Sequence, residues 1–372
     1  MEKKHSKHKK MTRRENGLYA VNELAFVGVK CSTITNLVSE ISKQLSEQFK
    51  IGYFDASHGK DNQPPAFDTY TFHPSGDTTV HIDRKENCFN ERILFTPYDL
   101  LCVNGNHFQA NKQIVLLDPE KEKSILKRID QLTDIQFFVK TTENSKVFDC
   151  LLERDPKIAS LPVYDISDVT SISNHIQDIC KKAEPVLNGL VLVGGKSTRM
   201  GTDKAQLDYH GMPQGAYAVS LLEAQGLQTF VSVRDAHQST FENTIADAFV
   251  DLGPFGGICS AFMRNPNQAY LVLATDVPNV DAALISLLLS KRNPKKIATA
   301  IKGKGKQFAE PLVTIWEPKA YPVLLQYLSQ GYSCPRKALI NSDVEIVEVD
   351  DHLIQNVNTP EEYTSVKENL QN

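Results

Sequence analysis

The sequence is most constrained at one abrupt change of character near its middle. Leu190 to Val193 is an apolar run that stops at Gly194-Gly195 and gives way to Lys-Ser-Thr-Arg-Met-Gly-Thr-Asp-Lys, ending at Lys204. A short apolar run of this kind reads as a buried strand. Glycines after a strand let backbone N–H groups approach a polyphosphate, and Arg199 and Lys204 can neutralise its charge. Taken alone, the glycine pair can also be only a tight turn. Placed where it is, the feature demands an α/β unit that begins near residue 187 and leaves the preceding half to fold separately.

The length of 372 residues favours two domains, each able to bury its own core. Hydrophobic residues make up 41% and charged residues 23%, ordinary for a globular chain. The net charge of −4 argues against a bulk nucleic-acid partner, but it conceals an asymmetry. Residues 1–16 hold five Lys and two Arg against Glu2 and Glu15, a local charge of +5. A disordered, solvated arm over 1–18 is expected, with contact to an anionic partner as the alternative. It lacks the apolar centre of a secretory signal, and no run approaches the ~18 apolar residues of a membrane span. The seven cysteines are scattered without a C-x-x-C pair, so reduced thiols in a cytoplasmic protein are expected.

In the first half, strands are expected near Asn22–Lys30, Ile51–Phe54, Tyr98–Asn104, Gln113–Leu117 and Ile135–Lys140. Ile34, Leu37, Val38, Ile41, Leu45 and Phe49 recur at helical spacing over Ser32–Phe49, and a second helix is expected over Glu120–Leu132. Asp55–Asp77 reads as a long loop and Asp155–Pro185 as a connecting segment. The second half restarts with a helix near Gln214–Gln225, a strand over Thr229–Val233, a helix start at Gly256–Met263 and a strand over Tyr270–Ala274. Further strands are expected over Lys296–Ile301, Leu312–Trp316 and Val344–Val349, and a last helix over Glu361–Asn369. The βα alternation implies mostly parallel α/β sheets. The expected organisation is a tail (1–18), a first domain (19–175), a linker (176–186) and a second domain (187–372).

Four constellations of the second half fall at strand ends, where open α/β sheets bind ligands. They are the glycine loop, Asp251-Leu-Gly-Pro-Phe-Gly-Gly-Ile, Ala274-Thr-Asp-Val-Pro, and Asn356-Val-Asn-Thr-Pro-Glu-Glu. Asp276 after an apolar strand can hold Mg2+ or cap a helix. Thr359, followed by Pro360 and two glutamates, reads as a helix cap. No Ser-His-Asp or Cys-His arrangement stands out.

In order and spacing, these motifs resemble the molybdenum cofactor guanylyltransferases, within the nucleotidyltransferase superfamily of sugar-nucleotide pyrophosphorylases. The resemblance covers about residues 187 to 370. It implies a Rossmann-like nucleotidyltransferase fold (the nucleotide-diphospho-sugar transferase type). It also implies transfer of GMP from Mg–GTP to the phosphate of molybdopterin, with release of pyrophosphate. Carried over, Val193, Gly194 and Gly195 contact base and phosphates, Arg199 and Lys204 neutralise the triphosphate, and Asp276 holds Mg2+. Asp251 and Arg234 lie by the nucleoside, Asn356 and Asn358 by the acceptor or the metal, and Arg336 by the acceptor. Such a reaction needs in-line positioning and charge neutralisation more than proton transfer. Implied partners are GTP and molybdopterin, with molybdoenzymes or other cofactor-assembly proteins downstream. A cytidylyl- or sugar-phosphate transferase on the same fold, and a non-catalytic nucleotide or pterin scaffold, remain alternatives.

The chain departs from the family pattern in three places. Arg234 stands where an Asn often reads the purine, Glu310-Pro311 replaces His-Pro, and Met212-Pro213 replaces Lys-Pro. These differences bear on base and acceptor specificity. Lys302, Lys304 and Lys306, alternating with Gly303 and Gly305, suggest a solvated hairpin turn in preference to a basic flap. Pro335-Arg336-Lys337 is either a phosphate-binding patch or a surface cluster.

Gly28-Val-Lys-Cys-Ser-Thr-Ile-Thr occupies the place of a phosphate loop, but Ile34 stands where the loop lysine belongs. With Asp55-Ala-Ser-His-Gly-Lys-Asp and Val103-Asn-Gly-Asn-His, this half is similar in layout to the molybdopterin-guanine dinucleotide adaptor. The resemblance implies a P-loop-like α/β domain, here degenerate and without triphosphatase activity. A metal cluster from Asp55, His58, Asp61, His73, His81 and His107 fits no standard spacing, and loop histidines are the simpler reading.

Overall fold

The computed structural model describes residues 10–15, 17–57, 68–82, 87–193, 203–235 and 239–371. Arg199, Gly194 and Gly195, with His58 and Asp61, lie outside the described residues. The chain divides into two compact units, Asn16–Ala183 and Glu184–Asn372, with Met1–Glu15 joined to the latter.

The first unit runs β1 (Glu23–Val27), α1 (Cys31–Leu45), β2 (Ile51–Phe54), β3 (Thr69–Phe72), β4 (Thr78–His81), α2 (Cys88–Phe95), β5 (Leu100–Asn104) and β6 (Lys112–Leu117). It continues through α3 (Glu122–Leu126), β7 (Ile135–Lys140), α4 (Asp149–Arg154), β8 (Val163–Asp165) and α5 (Val169–Lys182). Six parallel strands align in the order β2-β5-β1-β6-β7-β8. The buried side of α1 is Ile34, Leu37, Val38, Ile41 and Leu45, the face its spacing predicts. Glu23 is buried at the head of β1, where its carboxylate accepts the N–H groups of Leu18, Tyr19, Ala20 and Asn111 at 2.7–3.1 Å. Four donors explain how a charged group survives there.

Three expectations for this half are corrected. The region read as a loop contains β3, which pairs with β4 as an antiparallel hairpin. The helix expected over 120–132 is broken into α3 between two 3-10 turns, Pro119–Lys121 and Ile129–Gln131. Most of the 176–186 linker is helix: Ile172, Ile176, Ile179 and Cys180 of α5 share a core with α1. That apolar face, missed in the connecting segment, is what carries the first unit to Ala183.

The second unit runs β9 (Leu187–Leu192), α6 (Gln214–Glu223), β10 (Thr229–Val233), β11 (Thr244–Ala246), α7 (Pro254–Arg264), β12 (Ala269–Ala274) and α8 (Ala282–Ser290). Then follow β13 (Ala298–Gly303), β14 (Glu310–Trp316), α9 (Ala320–Ser329), α10 (Pro335–Ile340), β15 (Val344–Val349) and α11 (Pro360–Gln371). Its sheet order is β11-β10-β9-β12-β14-β13-β15, with only β14 antiparallel to its neighbours. Helices cover both faces. Phe255, Ile258 and Phe262 of α7 build one core with Trp316, and Leu221, Leu222, Leu284, Ile285 and Leu288 of α6 and α8 build the other. Helix α7 lies so close to the sheet that a Cβ on Gly257 would come within 2.6 Å of Ser232 Oγ. That proximity is the packing reason for a glycine there.

The arm is not wholly a solvated tail. Asn267 accepts from Glu15 N at 2.7 Å and donates to the Arg13 carbonyl at 3.0 Å, which ties residues 13–15 to the second unit. Among the described residues no helix is long and apolar enough to cross a membrane. No disulfide joins the cysteines.

Candidate functional site

The parallel strands β9, β10 and β12 end on the same side of the second sheet, and described residues beyond those ends line the site. Asp203 accepts from Ala205 N at 3.0 Å and so starts the 3-10 turn Lys204–Gln206. That turn presents Lys204 inward, with its side chain 19% exposed. Its Nζ donates to Asn358 Oδ1 at 2.8 Å and stands 3.8 Å from Asp276 Oδ2.

Asp276 sits two residues beyond β12. Its backbone carbonyl accepts Val357 N at 2.8 Å, which pins the 356–358 segment beside it. The same segment is held from its other end by a capping box. Glu362 accepts the N–H groups of Asn358 and Thr359 at 2.6 and 3.1 Å, and Glu362 N donates to Thr359 Oγ1 at 3.3 Å. The cap therefore also positions the amide that Lys204 binds. Burial raises the Asp276 carboxyl above its ordinary range, while Lys204 and the backbone N–H of Asp276 oppose the rise. Asp276 Oδ1 is buried and has no hydrogen-bond partner. A buried carboxylate oxygen left bare is costly, and a hard cation is the partner that suits it.

A cavity of about 780 Å3 opens from Asp276 and Lys204 across the ends of β9 and β10, past Val193 to Arg234, Asp247 and Asp251. Its size is that of a small-molecule site. Arg234 donates to Asp251 Oδ1 at 2.9 Å, with both side chains largely exposed. Asp251 has φ of 61°, in the left-handed region, where a non-glycine residue stores strain of about 1–3 kcal/mol. Behind the pair, Asp247 accepts Ser232 Oγ at 2.9 Å. Burial raises the Asp247 carboxyl, against the pull of Ser232 and Arg234.

On the other side of Asp276 lies a cavity of about 290 Å3 bounded by Glu310, Arg336, Asn356 and Asn358. Glu310, Arg336 and Asn356 also border a further cavity of about 700 Å3, together with Lys306 and His352. Asp276 thus borders the large cavity and the small one, and Glu310 continues the series. Among the described residues, the fold brings together Lys204, Asp276, Asn356, Asn358 and Arg336 on one side, and Val193, Arg234 and Asp251 on the other.

Glu310 is the site residue that sequence reasoning undervalued. It is 7% exposed, accepts Leu312 N at 3.2 Å and pairs with Arg336 at 3.3 Å. Burial raises its carboxyl, Asp276 adds to the rise, and Leu312 N and Arg336 oppose it. The available signal was its replacement of a histidine beside Pro311. Lys302 and Lys304 are ion-paired to Glu348 and Asp350 at 2.7 and 2.8 Å, and Gly305 N donates to Asp351. The alternating lysines are therefore a tied turn between β13 and β14. Lys337 lies over the Tyr332 ring, 4.5 Å from its centroid, so of the Arg336-Lys337 pair only Arg336 borders the cavities.

In the first unit, Gly28 (φ 108°) makes the turn from β1 into α1. The Thr35 hydroxyl donates back to the Cys31 carbonyl at 3.1 Å and lies 3.2 Å from Tyr53 OH. It is thereby engaged within its own fold. No group of three or more His, Cys, Asp or Glu among the described residues could hold a metal.

Residues 189–345 match the family model of the MobA-like NTP transferase domain. A molybdenum cofactor biosynthesis bifunctional protein from Synechocystis sp. is 33% identical over 223 residues, covering 56% of this chain and 64% of the relative. The chain thus spans less than two thirds of that relative's length. A molybdenum cofactor guanylyltransferase from Pseudomonas putida is 28% identical over 186 residues, 48% of this chain and 96% of the relative. The crystal structure of a MobB protein homolog from Bacillus stearothermophilus covers 43% of this chain and 99% of its own, at 17% identity and a TM-score of 0.32.

Proposed function

We propose, from the premise that residues 189–345 form a MobA-like NTP transferase domain, that the chain transfers GMP from GTP to the phosphate of molybdopterin and releases pyrophosphate. The observation that carries this reading is the Lys204–Asp276–Asn358 cluster, set where the large cavity meets the series behind it. The large cavity takes the nucleotide. Arg234 offers donors and Asp251 acceptors, a pairing suited to the O6 and N7 acceptors and the N1 and N2 donors of guanine. The cavities beyond Asp276 take the acceptor, with Arg336 facing its phosphate. Asp276, through its bare Oδ1, would hold Mg2+ between them, with Asn358 beside it. When bound, the ion supplies charge neutralisation at the phosphates.

The chain's own residues do the remaining work. Lys204 places a positive charge at the junction, and its bond to Asn358 fixes the ammonium there. The capping box holds Asn358, so the acceptor side is ordered before substrate arrives. The attacking group is a phosphate oxygen, so no side chain needs to remove a proton. The first unit, with its Thr35 hydroxyl engaged and no loop lysine, accompanies the transferase domain without triphosphatase chemistry of its own. A reducing, cytoplasmic setting fits the scattered thiols.

The test is pyrophosphate release from each of the four ribonucleoside triphosphates with molybdopterin and Mg2+. GTP with molybdopterin should be the productive pair. Preference for CTP, or turnover only with a sugar phosphate, would replace this reading with the other nucleotidyl transfers of the fold. Absence of turnover with every pair would leave a binding scaffold.

A further inference from the structure

The first unit carries a constellation that nucleotidyl transfer does not use. Cys31 opens α1, a 15-residue helix, directly after the turn from β1. His107 lies just past β5, the neighbour of β1 in the sheet. Across 76 residues of chain, the fold sets Cys31 Sγ 3.2 Å from His107 Nε2. Asn106 donates to the Val29 carbonyl at 2.8 Å and stands 3.6 Å from the same sulfur, which fastens the β5 loop against the turn. Asn106 N is in turn held by Asn104 Oδ1 at 3.1 Å.

A carboxyl group stands past the end of the neighbouring strand. Asp55 follows β2, on the other side of β5, and accepts Tyr53 OH at 2.8 Å and Ala56 N at 2.7 Å. Burial pushes its carboxyl up. The nearby Asn104 amide, the Tyr53 hydroxyl and the Ala56 N–H, together with the His107 imidazole, more than offset that push and hold it below the ordinary range. A thiol with a base within hydrogen-bond reach is the core of an activated nucleophile. Cys31 is partly exposed, whereas Cys102 and Cys180 are buried.

We propose that Cys31 is a nucleophilic thiol, activated by His107, that exchanges with small disulfides to form a mixed disulfide. With the ring proton on Nδ1, Nε2 takes the thiol proton as Sγ attacks one sulfur of the incoming disulfide. A new S–S bond forms at Sγ and the old S–S bond breaks. Its electron pair leaves with the second sulfur, which departs as a thiol after taking the proton from His107. The incoming disulfide is the oxidant, so no other reactant is needed. Cys31 stands in the first turn of α1, where the helix dipole favours the negative charge that develops on sulfur. The adduct would sit at the mouth of the β1–α1 turn, so the oxidation state of the thiol would decide what that turn can contact.

The experiment exposes the full chain to glutathione disulfide and follows each cysteine by peptide mass spectrometry. Cys88 and Cys334, both exposed, are references within the same molecule. Cys31 should form the mixed disulfide about tenfold or more faster than either reference. His107→Gln should bring Cys31 down to the reference rate and leave Cys88 and Cys334 unchanged. Equal rates at the three cysteines of the unaltered protein would overturn the proposal without any variant. An unchanged Cys31 rate in H107Q would overturn the role of the imidazole. Neither outcome depends on the nucleotidyl transfer proposed above.

Discussion

Replacing Asp276 by Asn separates what this carboxylate does for the reaction from what it costs the fold. The side chain keeps its shape and loses its charge. At 3.8 Å from Lys204 Nζ, the charge pair is worth about 4 kcal/mol at an effective dielectric constant of about 20. Against this stands the penalty of several kcal/mol for desolvating a carboxylate. Here that penalty is aggravated by an Oδ1 that has no partner. The raised carboxyl shows which effect wins: burial outweighs Lys204. Lys204 also keeps its 2.8 Å bond to Asn358 in the variant. D276N should therefore fold as well as the parent or better, with a thermal midpoint no more than about 4 °C lower. Its rate of pyrophosphate release from Mg–GTP and molybdopterin should fall by at least about 100-fold, equivalent to roughly 3 kcal/mol of transition-state stabilisation. The assays are thermal unfolding and a coupled pyrophosphate measurement on the same preparation. Release within tenfold of the parent would refute the cation assignment. A midpoint lowered by more than about 10 °C would refute the view that the bare carboxylate is a net cost to folding.

Other consequences can be measured directly. Arg336→Ala should raise KM for molybdopterin about tenfold or more and leave GTP binding unchanged, because Arg336 borders the cavities beyond Asp276 and not the nucleotide cavity; equal loss on both substrates in steady-state kinetics would contradict that division. D276N of the full chain should release no inorganic phosphate from GTP, since only the first unit could then supply it; phosphate detected by a malachite-green assay would show that the β1–α1 turn is still a working phosphate loop. Arg292→Met should destabilise the second unit by about 3–5 kcal/mol, because it strands the fully buried Glu317, whose two oxygens accept from Arg292 at 2.7 and 3.0 Å. Burial holds the Glu317 carboxyl above its ordinary range in spite of Arg292. A carboxyl raised in the folded state binds its proton more tightly there than in the unfolded chain. Its contribution is present at low pH and lost as pH rises through the raised value. The midpoint loss in R292M should accordingly be smaller at pH 5 than at pH 8, and an equal loss at both would show that Glu317 does not titrate in that window.

Much of the secondary structure is legible from local pattern. Ile135–Lys140, Thr229–Val233 and Val344–Val349 are strands with the expected ends, because short runs of apolar and β-branched residues fit a sheet. The face of α1 follows from spacing alone. Elements whose stability comes from contact are less visible. Helix α8, Ala-Ala-Leu-Ile-Ser-Leu-Leu-Leu-Ser, is apolar nearly all round, so only the cap at Asp281, which accepts Leu284 N, marks its start, and its buried face of Leu284, Ile285 and Leu288 is decided by packing. Helix α5 was hidden in a segment of weak periodicity, and its role is plain only when Ile172 and Ile176 meet α1.

By itself the sequence determined that the chain holds two α/β halves, and that cations and a carboxylate stand at strand ends in the second. These are local facts: an apolar run, a glycine after it, a charge beyond that. The tertiary structure decided which of those groups meet. Lys204 reaches Asn358 across 154 residues because the carbonyl of Asp276 captures Val357 and a capping box holds the other side. Glu310 lies next to that cluster only because β14 runs antiparallel to β12. Cys31 and His107 become a pair because β1 and β5, distant in the chain, lie side by side. Distances of about 3 Å between groups so remote in sequence come from sheet order and packing, which no local pattern encodes.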